Sequence, residues 1–288
     1  MTVMSLIKKS FLTVVTNPVI TLFLVLYLIL TSVLSVYIQS SQSQIIGLIL
    51  IFCEFSLTLC FVSGWLQIVK ENIKEEKGNK PFSIFLEGVG KNIIPITIGA
   101  FIYAIFFVGV LFLTTIFADK FIGSLDFIIK DLPVITQNPN AFTQYFMNLT
   151  DNQKYILYAW QFTIIIVSMV YNFLFLFYLP AIIASKTDNV FLKSIIAIKE
   201  SFVFTFKKFF RALGIYFLIY SFYAILSILK VIAMQFPFAS ILVLFIYIYF
   251  VSISVMLIFN CYEQKDNSDN GCDCIGQDES HDKISEEN

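Results

Sequence analysis

Glu54 is the only acidic or basic side chain that lies well inside one of the long apolar stretches of this sequence, in the segment LIFCEFS. A charge in the middle of a bilayer is costly, so we expect this carboxyl group to face protein or water and to be neutral or paired. Two interpretations are open: a proton- or substrate-linked site, or a protonated carboxyl group that bonds only to Thr58 or to a neighbouring helix. Asn172, in another apolar stretch, is of the type that forms hydrogen bonds between membrane helices. The sequence therefore predicts a possible intramembrane polar site of Glu54, Thr58 and Asn172.

Few other residues could do chemistry. Cys272, Cys274 and His281 are potential metal ligands, but a closed zinc site needs four ligands on a scaffold. The sequence has no phosphate-binding loop, no dinucleotide fingerprint and no HExxH or GxSxG motif. We therefore expect no catalytic, cofactor-binding or metal-ligating residue and no enzymatic activity. An enzyme that acts on lipid would need acidic or nucleophilic residues clustered at one membrane surface. The candidates here are explained equally well as solvated positions on helix faces: Glu87, Asp188 and Glu200.

The composition indicates which class of protein contains these residues. Of the 288 residues, 58% are hydrophobic and 14% are charged, and the mean hydropathy is +0.82. Soluble domains are about 25% charged, so a water-soluble globule could not cover this much apolar surface. That excludes a cytosolic enzyme, a nucleic-acid-binding protein and a disordered chain. The net charge of −1 also predicts no polyanionic partner.

Six stretches are long enough to cross a bilayer, because a hydrocarbon core of roughly 30 Å needs about 20 helical residues. The sequence therefore predicts an all-α integral membrane protein with six transmembrane helices. The first stretch exceeds the apolar core of a typical signal peptide, so we expect it to be retained. The six predicted spans are Pro18–Ile38, Ile45–Val69, Ile93–Phe117, Tyr155–Ala184, Ala212–Leu229 and Phe238–Asn260.

The distribution of positive charge predicts the orientation. With six spans, 15 lysines and arginines lie on the side of the termini and 4 on the other side. The positive-inside rule then predicts a multi-pass protein of the cell membrane with both termini in the cytoplasm. Residues 1–262 form the predicted membrane domain, and the acidic residues 263–288 are expected to be a disordered cytoplasmic tail.

A short motif recurs before the membrane hairpins. IKKSF at residues 7–11 precedes the first span, and IKESF at residues 198–202 precedes the fifth. A looser copy, PFSIFLE at residues 81–87, precedes the third. The three segments have apolar residues at helical spacing, which predicts three units, each an interfacial amphipathic helix followed by a transmembrane hairpin. Their lysines, Lys193 among them, would contact anionic lipid headgroups, the predicted partners; the alternative is that they are loops carrying positive charge.

Other patterns concern packing. Ser56, Cys60 and Gly64 recur every four residues, which predicts a close helix contact. Trp65 and Trp160 lie near span ends, where we expect them to anchor the chain at the membrane surface. The long segment between the third and fourth spans predicts two short helices, and Pro180 is expected to bend or end the fourth span.

The motif-plus-hairpin pattern resembles the membrane region attached to some bacterial glycerophosphodiester phosphodiesterases, and it also resembles related uncharacterised multi-span families. The resemblance covers residues 1–262 in architecture and implies the fold and the membrane location. It implies no hydrolase activity, since the catalytic domain has no counterpart here. We therefore expect a non-enzymatic membrane protein that acts as a scaffold or accessory factor in membrane organisation. The alternative is a small transporter or channel that uses Glu54.

Overall fold

The computed structural model describes residues 3–41, 43–73, 80–137, 139–185, 187 and 189–269. Within these ranges the chain is almost entirely helical and contains no strand, which confirms the all-α prediction. The helices in chain order are α1 (Val3–Thr16), α2 (Val19–Ser40), α3 (Gln44–Ile73), α4 (Pro81–Phe121), α5 (Asp126–Gln137), α6 (Pro139–Asn148), α7 (Asp151–Leu174), α8 (Tyr178–Ala184), α9 (Val190–Lys207), α10 (Phe209–Ala233) and α11 (Pro237–Asp269).

Six helical segments of the described chain are long and apolar enough to cross a membrane, as the sequence predicts. Most of their large apolar side chains face outward, which is the arrangement that a lipid environment requires. The protein is therefore a multi-pass membrane protein. The segments are Val19–Ser40, Gln44–Ile73, Pro81–Phe121, Asp151–Ala184, Phe209–Ala233 and Phe238–Glu263.

The three predicted amphipathic helices differ in their connection to the spans. The first and third copies are the separate helices α1 and α9. The middle copy is instead continuous with the third span in α4, a helix of 41 residues. The helix continues through Pro95, and a proline at such an interior position removes one hydrogen bond and bends a helix without always ending it. The three-unit arrangement stays a prediction, and its middle copy departs from the simplest form.

The fourth span consists of two helices. The helix α7 ends at Leu174, a turn follows over residues 175–177, and α8 begins at Tyr178. Pro180 lies in the first turn of α8, where its missing N–H leaves no helical hydrogen bond unmade. A continuous helix would bring the proline ring against the carbonyl group of Leu176, which accounts for the interruption.

The chain divides into two compact units. The first comprises the described residues of Met1–Thr97 and Leu176–Asn288, and the second comprises Ile98–Phe175. In the second unit the two predicted short helices are α5 and α6, and the Tyr145 hydroxyl donates to the carbonyl oxygen of Phe127 at 2.7 Å. Pro133 lies within α5. Thr150 caps α7: its hydroxyl accepts from the Gln153 backbone N–H, and the Gln153 side chain accepts from the Thr150 N–H.

Both tryptophans are buried rather than placed at a membrane surface. The Trp65 indole N–H donates to the carbonyl oxygen of Ile20 at 2.9 Å, and that of Trp160 donates to the carbonyl oxygen of Gly123 at 2.8 Å. Each indole therefore satisfies a backbone acceptor near a helix end, which supplies the polar partner that a buried tryptophan requires. The prediction of surface anchoring is wrong for both residues.

The predicted tail begins within α11, which continues to Asp269. Residues 270–288, with Cys272, Cys274 and His281, lie outside the described residues. Asp188 lies outside them as well.

Candidate functional site

Glu54 lies on α3 beside α2 and is partly exposed. The Ser35 hydroxyl on α2 donates to its carboxylate at 3.4 Å. The Thr58 hydroxyl donates to the backbone carbonyl of Glu54 at 2.8 Å rather than to the carboxyl group, and it also lies 3.0 Å from the hydroxyl of Tyr27. The side chains of Glu54 and Thr58 thus each have a polar partner on α2, in the first unit.

Asn172, the third residue of the predicted polar site, lies in the second unit on α7. The Tyr103 hydroxyl on α4 donates to its side-chain oxygen at 2.7 Å, and its amide group donates to the carbonyl oxygen of Ser168 at 2.8 Å. The Tyr171 hydroxyl donates in turn to the carbonyl oxygen of Tyr103. The prediction that Asn172 hydrogen-bonds between helices is confirmed.

A buried chain of polar side chains connects three helices of the first unit. The Lys193 ammonium on α9 donates to the side-chain oxygen of Asn92 on α4 at 3.1 Å. The Asn92 amide group donates to the Gln67 oxygen on α3 at 3.4 Å, and the Gln67 amide donates to Glu71 at 2.8 Å. Only 9%, 2% and 8% of Lys193, Asn92 and Gln67 are exposed, so this contact excludes most water. Polar groups buried in this way depend on each other for hydrogen bonds.

The position of Lys193 is set by the start of α9. The side-chain oxygen of Asn189 accepts from the backbone N–H groups of Phe191 and Leu192, which begins the helix just before Lys193. Burial lowers the pKa of Lys193 below its ordinary value, and the nearby charge of Lys91 lowers it further. A cation near a helix N-terminus is also disfavoured by the helix dipole. The prediction that the lysines of this segment contact headgroups is wrong for Lys193, because its side chain is buried against α4.

Two glycines bring α3 and α4 close enough for this chain of contacts. A Cβ atom added at Gly88 would lie 2.5 Å from the Cβ atom of Gln67 and 2.9 Å from the carbonyl oxygen of Ser63. A Cβ atom at Gly64 would lie 2.5 Å from the ring of Phe85. The close contact predicted from the small residues of α3 is therefore present at Gly64, where only a glycine fits without displacement.

The repeated motif has the same buried residue in both of its close copies. Ser10 on α1 and Ser201 on α9 are fully buried. The Asn260 amide group on α11 donates to the Ser10 hydroxyl at 3.0 Å. In the other copy, the hydroxyl of Tyr262 on α11 donates to the carboxylate of Glu200. Both motif helices therefore bind the same end of α11.

Apart from the buried Lys193, the lysines of these helices point away from the contact with α11. They are exposed, and so are apolar side chains beside them, among them Phe11 on α1 and Phe206 on α9. Exposed lysines next to exposed apolar groups are typical of helices that lie at a membrane surface. The exposed lysines are Lys8, Lys9, Lys199 and Lys207, and Lys208 follows α9.

The other acidic candidates are explained by local partners. Glu87 forms an ion pair with Lys91 one turn later on α4, and Glu200 contacts Tyr262. Among the described residues, no group of three or more His, Cys, Asp or Glu is placed to hold a metal ion.

Sequence reasoning did not identify the chain of Lys193, Asn92 and Gln67. The available signal was the presence of Gln67 and Asn92 at or near the edges of predicted spans, where polar side chains need partners. Comparison with protein-family models, curated proteins and solved structures finds no match for this chain. The resemblance to the phosphodiesterase-linked membrane region therefore stays a prediction.

Proposed function

We propose that this multi-pass protein is a non-enzymatic scaffold or accessory factor that organises the membrane by holding anionic phospholipids at its α1 and α9 helices. One observation supports the proposal above others: both motif helices are fixed to the end of α11, while all of their lysines except the buried Lys193 remain exposed. A scaffold needs a binding surface that keeps its shape, and this contact supplies one.

The energetic basis is the attraction between lysines and an anionic membrane surface. Each lysine near such a surface contributes about 1 kcal/mol, and the effect decays within a Debye length. Lys8 and Lys199 occupy equivalent positions in the two motif copies and are both exposed. With their neighbours they would enrich anionic headgroups around this end of the protein, whose termini we propose to be cytoplasmic.

The test compares lysines of the motif with lysines elsewhere. The full chain is extracted into polymer-bounded nanodiscs from vesicles that contain equal amounts of phosphatidylglycerol and phosphatidylcholine, and the retained lipids are quantified. We expect Lys8→Gln with Lys199→Gln to reduce the enrichment of phosphatidylglycerol roughly tenfold. The matched control, Lys120→Gln with Lys130→Gln, also removes two exposed lysines, which lie in the second unit.

Equal losses in the two double variants would show that net charge alone attracts the lipid, and would refute a specific role for the motif helices. An unchanged lipid composition in the motif variant would refute the proposal directly.

A second candidate function, transport coupled to Glu54, is favoured by one feature. The carboxylate is partly exposed, and within the described part of the chain it accepts one long hydrogen bond, from Ser35. A carboxyl group with so little support within a membrane is a reasonable proton carrier. Measuring proton flux into vesicles for the wild-type chain and for Glu54→Gln tests this role. Equal flux in both would remove it.

A further inference from the structure

The hairpin of α10 and α11 contains a cleft that the proposed function does not use. Its volume is about 530 Å³, within the range of about 300–1,000 Å³ for ligand pockets. The apolar side chains of Leu226, Val243 and Leu244 line it between the two helices. The lining is mostly apolar, with Ser227, Ser240 and Lys230 as polar members, so hydrocarbon matches most of the wall of the cleft.

Two contacts join α10 and α11 in this hairpin. At the turn, the Ser240 hydroxyl donates to the carbonyl oxygen of Ala233 at 2.7 Å. Farther into the hairpin, the rings of Phe222 and Phe250 stack with centroids 5.9 Å apart. The residues that line the cleft therefore lie along the part of the hairpin between these two contacts.

One cation lies at the end of the cleft near the turn. Lys230 is in the last turn of α10 and lines the cleft, and its side chain is exposed. Within the described part of the chain, its ammonium has no hydrogen-bond or ion-pair partner. Tyr223 and Tyr247 line the opposite end. Tyr223 lies two helical turns from Lys230, which corresponds to roughly 10 Å along the helix axis.

We infer that this cleft binds one anionic phospholipid, with an acyl chain between α10 and α11 and the phosphate group at Lys230. The apolar walls match the chain, and the unpaired ammonium supplies the charge that a phosphate requires. The site is distinct from the motif helices, because it uses the other end of α10 and a different lysine.

The experiment locates the bound lipid by photochemical labelling. The full chain is reconstituted into vesicles with a trace of phosphatidylglycerol that carries a diazirine in its acyl chain, and the labelled residues are mapped by mass spectrometry. A phosphatidylcholine with the same chain serves as the uncharged probe. We expect stronger labelling at Leu226 and Val243, which line the cleft, than at the exposed Ile225, and about fivefold more from phosphatidylglycerol than from phosphatidylcholine.

Two pairs of variants separate charge from shape. Lys230→Ala should remove the preference for phosphatidylglycerol, whereas Lys120→Ala, which replaces an exposed lysine in the last turn of α4, should not. Ser227→Trp fills the cleft and should reduce labelling by both lipids. Val231→Trp adds the same bulk on the exposed surface of α10 and should not.

Each alternative result overturns the inference. Labelling spread evenly over α10 would show no bound lipid, and equal labelling by the two lipids would show an apolar gap without headgroup recognition. A lost preference in Lys120→Ala would indicate general electrostatic attraction. Unchanged labelling in Ser227→Trp would place the lipid outside the cleft. Apart from the Lys120→Ala outcome, which would indicate general attraction in both tests, these results do not bear on the motif helices, so the two lipid proposals are tested separately.

Discussion

The two close copies of the repeated motif, α1 and α9, bury equivalent positions but different chemistry. Leu6, Ser10 and Val14 form the buried stripe of α1. The equivalent residues of α9 are Ala197, Ser201 and Thr205, which are also buried. The shared spacing thus fixes which face of each helix contacts the protein. The neighbouring residues decide what that face binds.

The difference between the copies lies before and beside the common serine. The helix α9 also buries Lys193, which hydrogen-bonds to Asn92 on a helix that Gly88 allows to approach α3 closely. The helix α1 buries no lysine among its described residues, and its Ser10 hydroxyl accepts from the neutral amide group of Asn260. We therefore expect stability to depend on polar partners and tight packing around α9, and mainly on apolar packing around α1.

The largest effect on stability should come from a substitution that forces α3 and α4 apart. In Gly88→Val the added side chain overlaps Gln67 and the backbone of Ser63, so we expect a loss of about 3 kcal/mol in the free energy of unfolding. Denaturation by dodecyl sulfate in mixed micelles measures it. Gly90→Val is the control, because a Cβ atom at Gly90 has nothing within 4 Å. Equal stability of the two variants would contradict the close approach.

The next largest effect on stability should come from removing the partner of the buried Lys193. Asn92→Leu removes the acceptor of the Lys193 ammonium, and a buried charge without its partner should cost about 2 kcal/mol. Lys193→Met removes the charge, so the double variant should recover most of the lost stability in the same assay. Additive losses from the two substitutions would mean that Lys193 and Asn92 do not interact.

A smaller effect is expected at the motif serine of α1. Ser10→Ala leaves the buried amide group of Asn260 without its acceptor and should cost about 1 kcal/mol. A loss at Ser10 as large as that of Asn92→Leu would erase the difference between the two motif helices.

The smallest effect is a dependence on pH that α9 alone should confer. Because burial lowers the pKa of Lys193 in the folded state, the unfolded chain binds more protons between that pKa and the ordinary value of 10.5. Stability should therefore rise with pH across this interval. Below the interval, the buried charge of Lys193 destabilises the folded state to its full extent. Measured against Lys193→Met, the wild-type chain should gain stability as the pH approaches 10.5. A constant difference would show that Lys193 titrates as an exposed lysine.

The sequence predicts elements better than it predicts their contacts. Long apolar stretches define the spans because the bilayer sets a minimum length, and the repeated motif places Ser10 and Ser201 at equivalent positions of two helices. The burial of Lys193 depends on a residue 101 positions away, Asn92, so no local pattern can indicate it. The prediction for Trp65 is wrong for the same reason, because its acceptor, Ile20, belongs to another helix.

The cap of α7 bears on how the chain would be processed in a secretory pathway. Asn148, Leu149 and Thr150 match the acceptor pattern for N-linked glycans, and Asn148 is exposed at the end of α6. The Thr150 hydroxyl, which the pattern requires, is already held by Gln153, and Leu149 is buried. Asn148 and Thr150 are both exposed, but a glycosylating enzyme that engages the Thr150 hydroxyl would have to compete with the cap, so modification is favoured before α7 has formed. Sugar attachment at Asn148 would thus report the order of events during synthesis, with slow folding of this segment giving the modified chain and rapid folding the bare one.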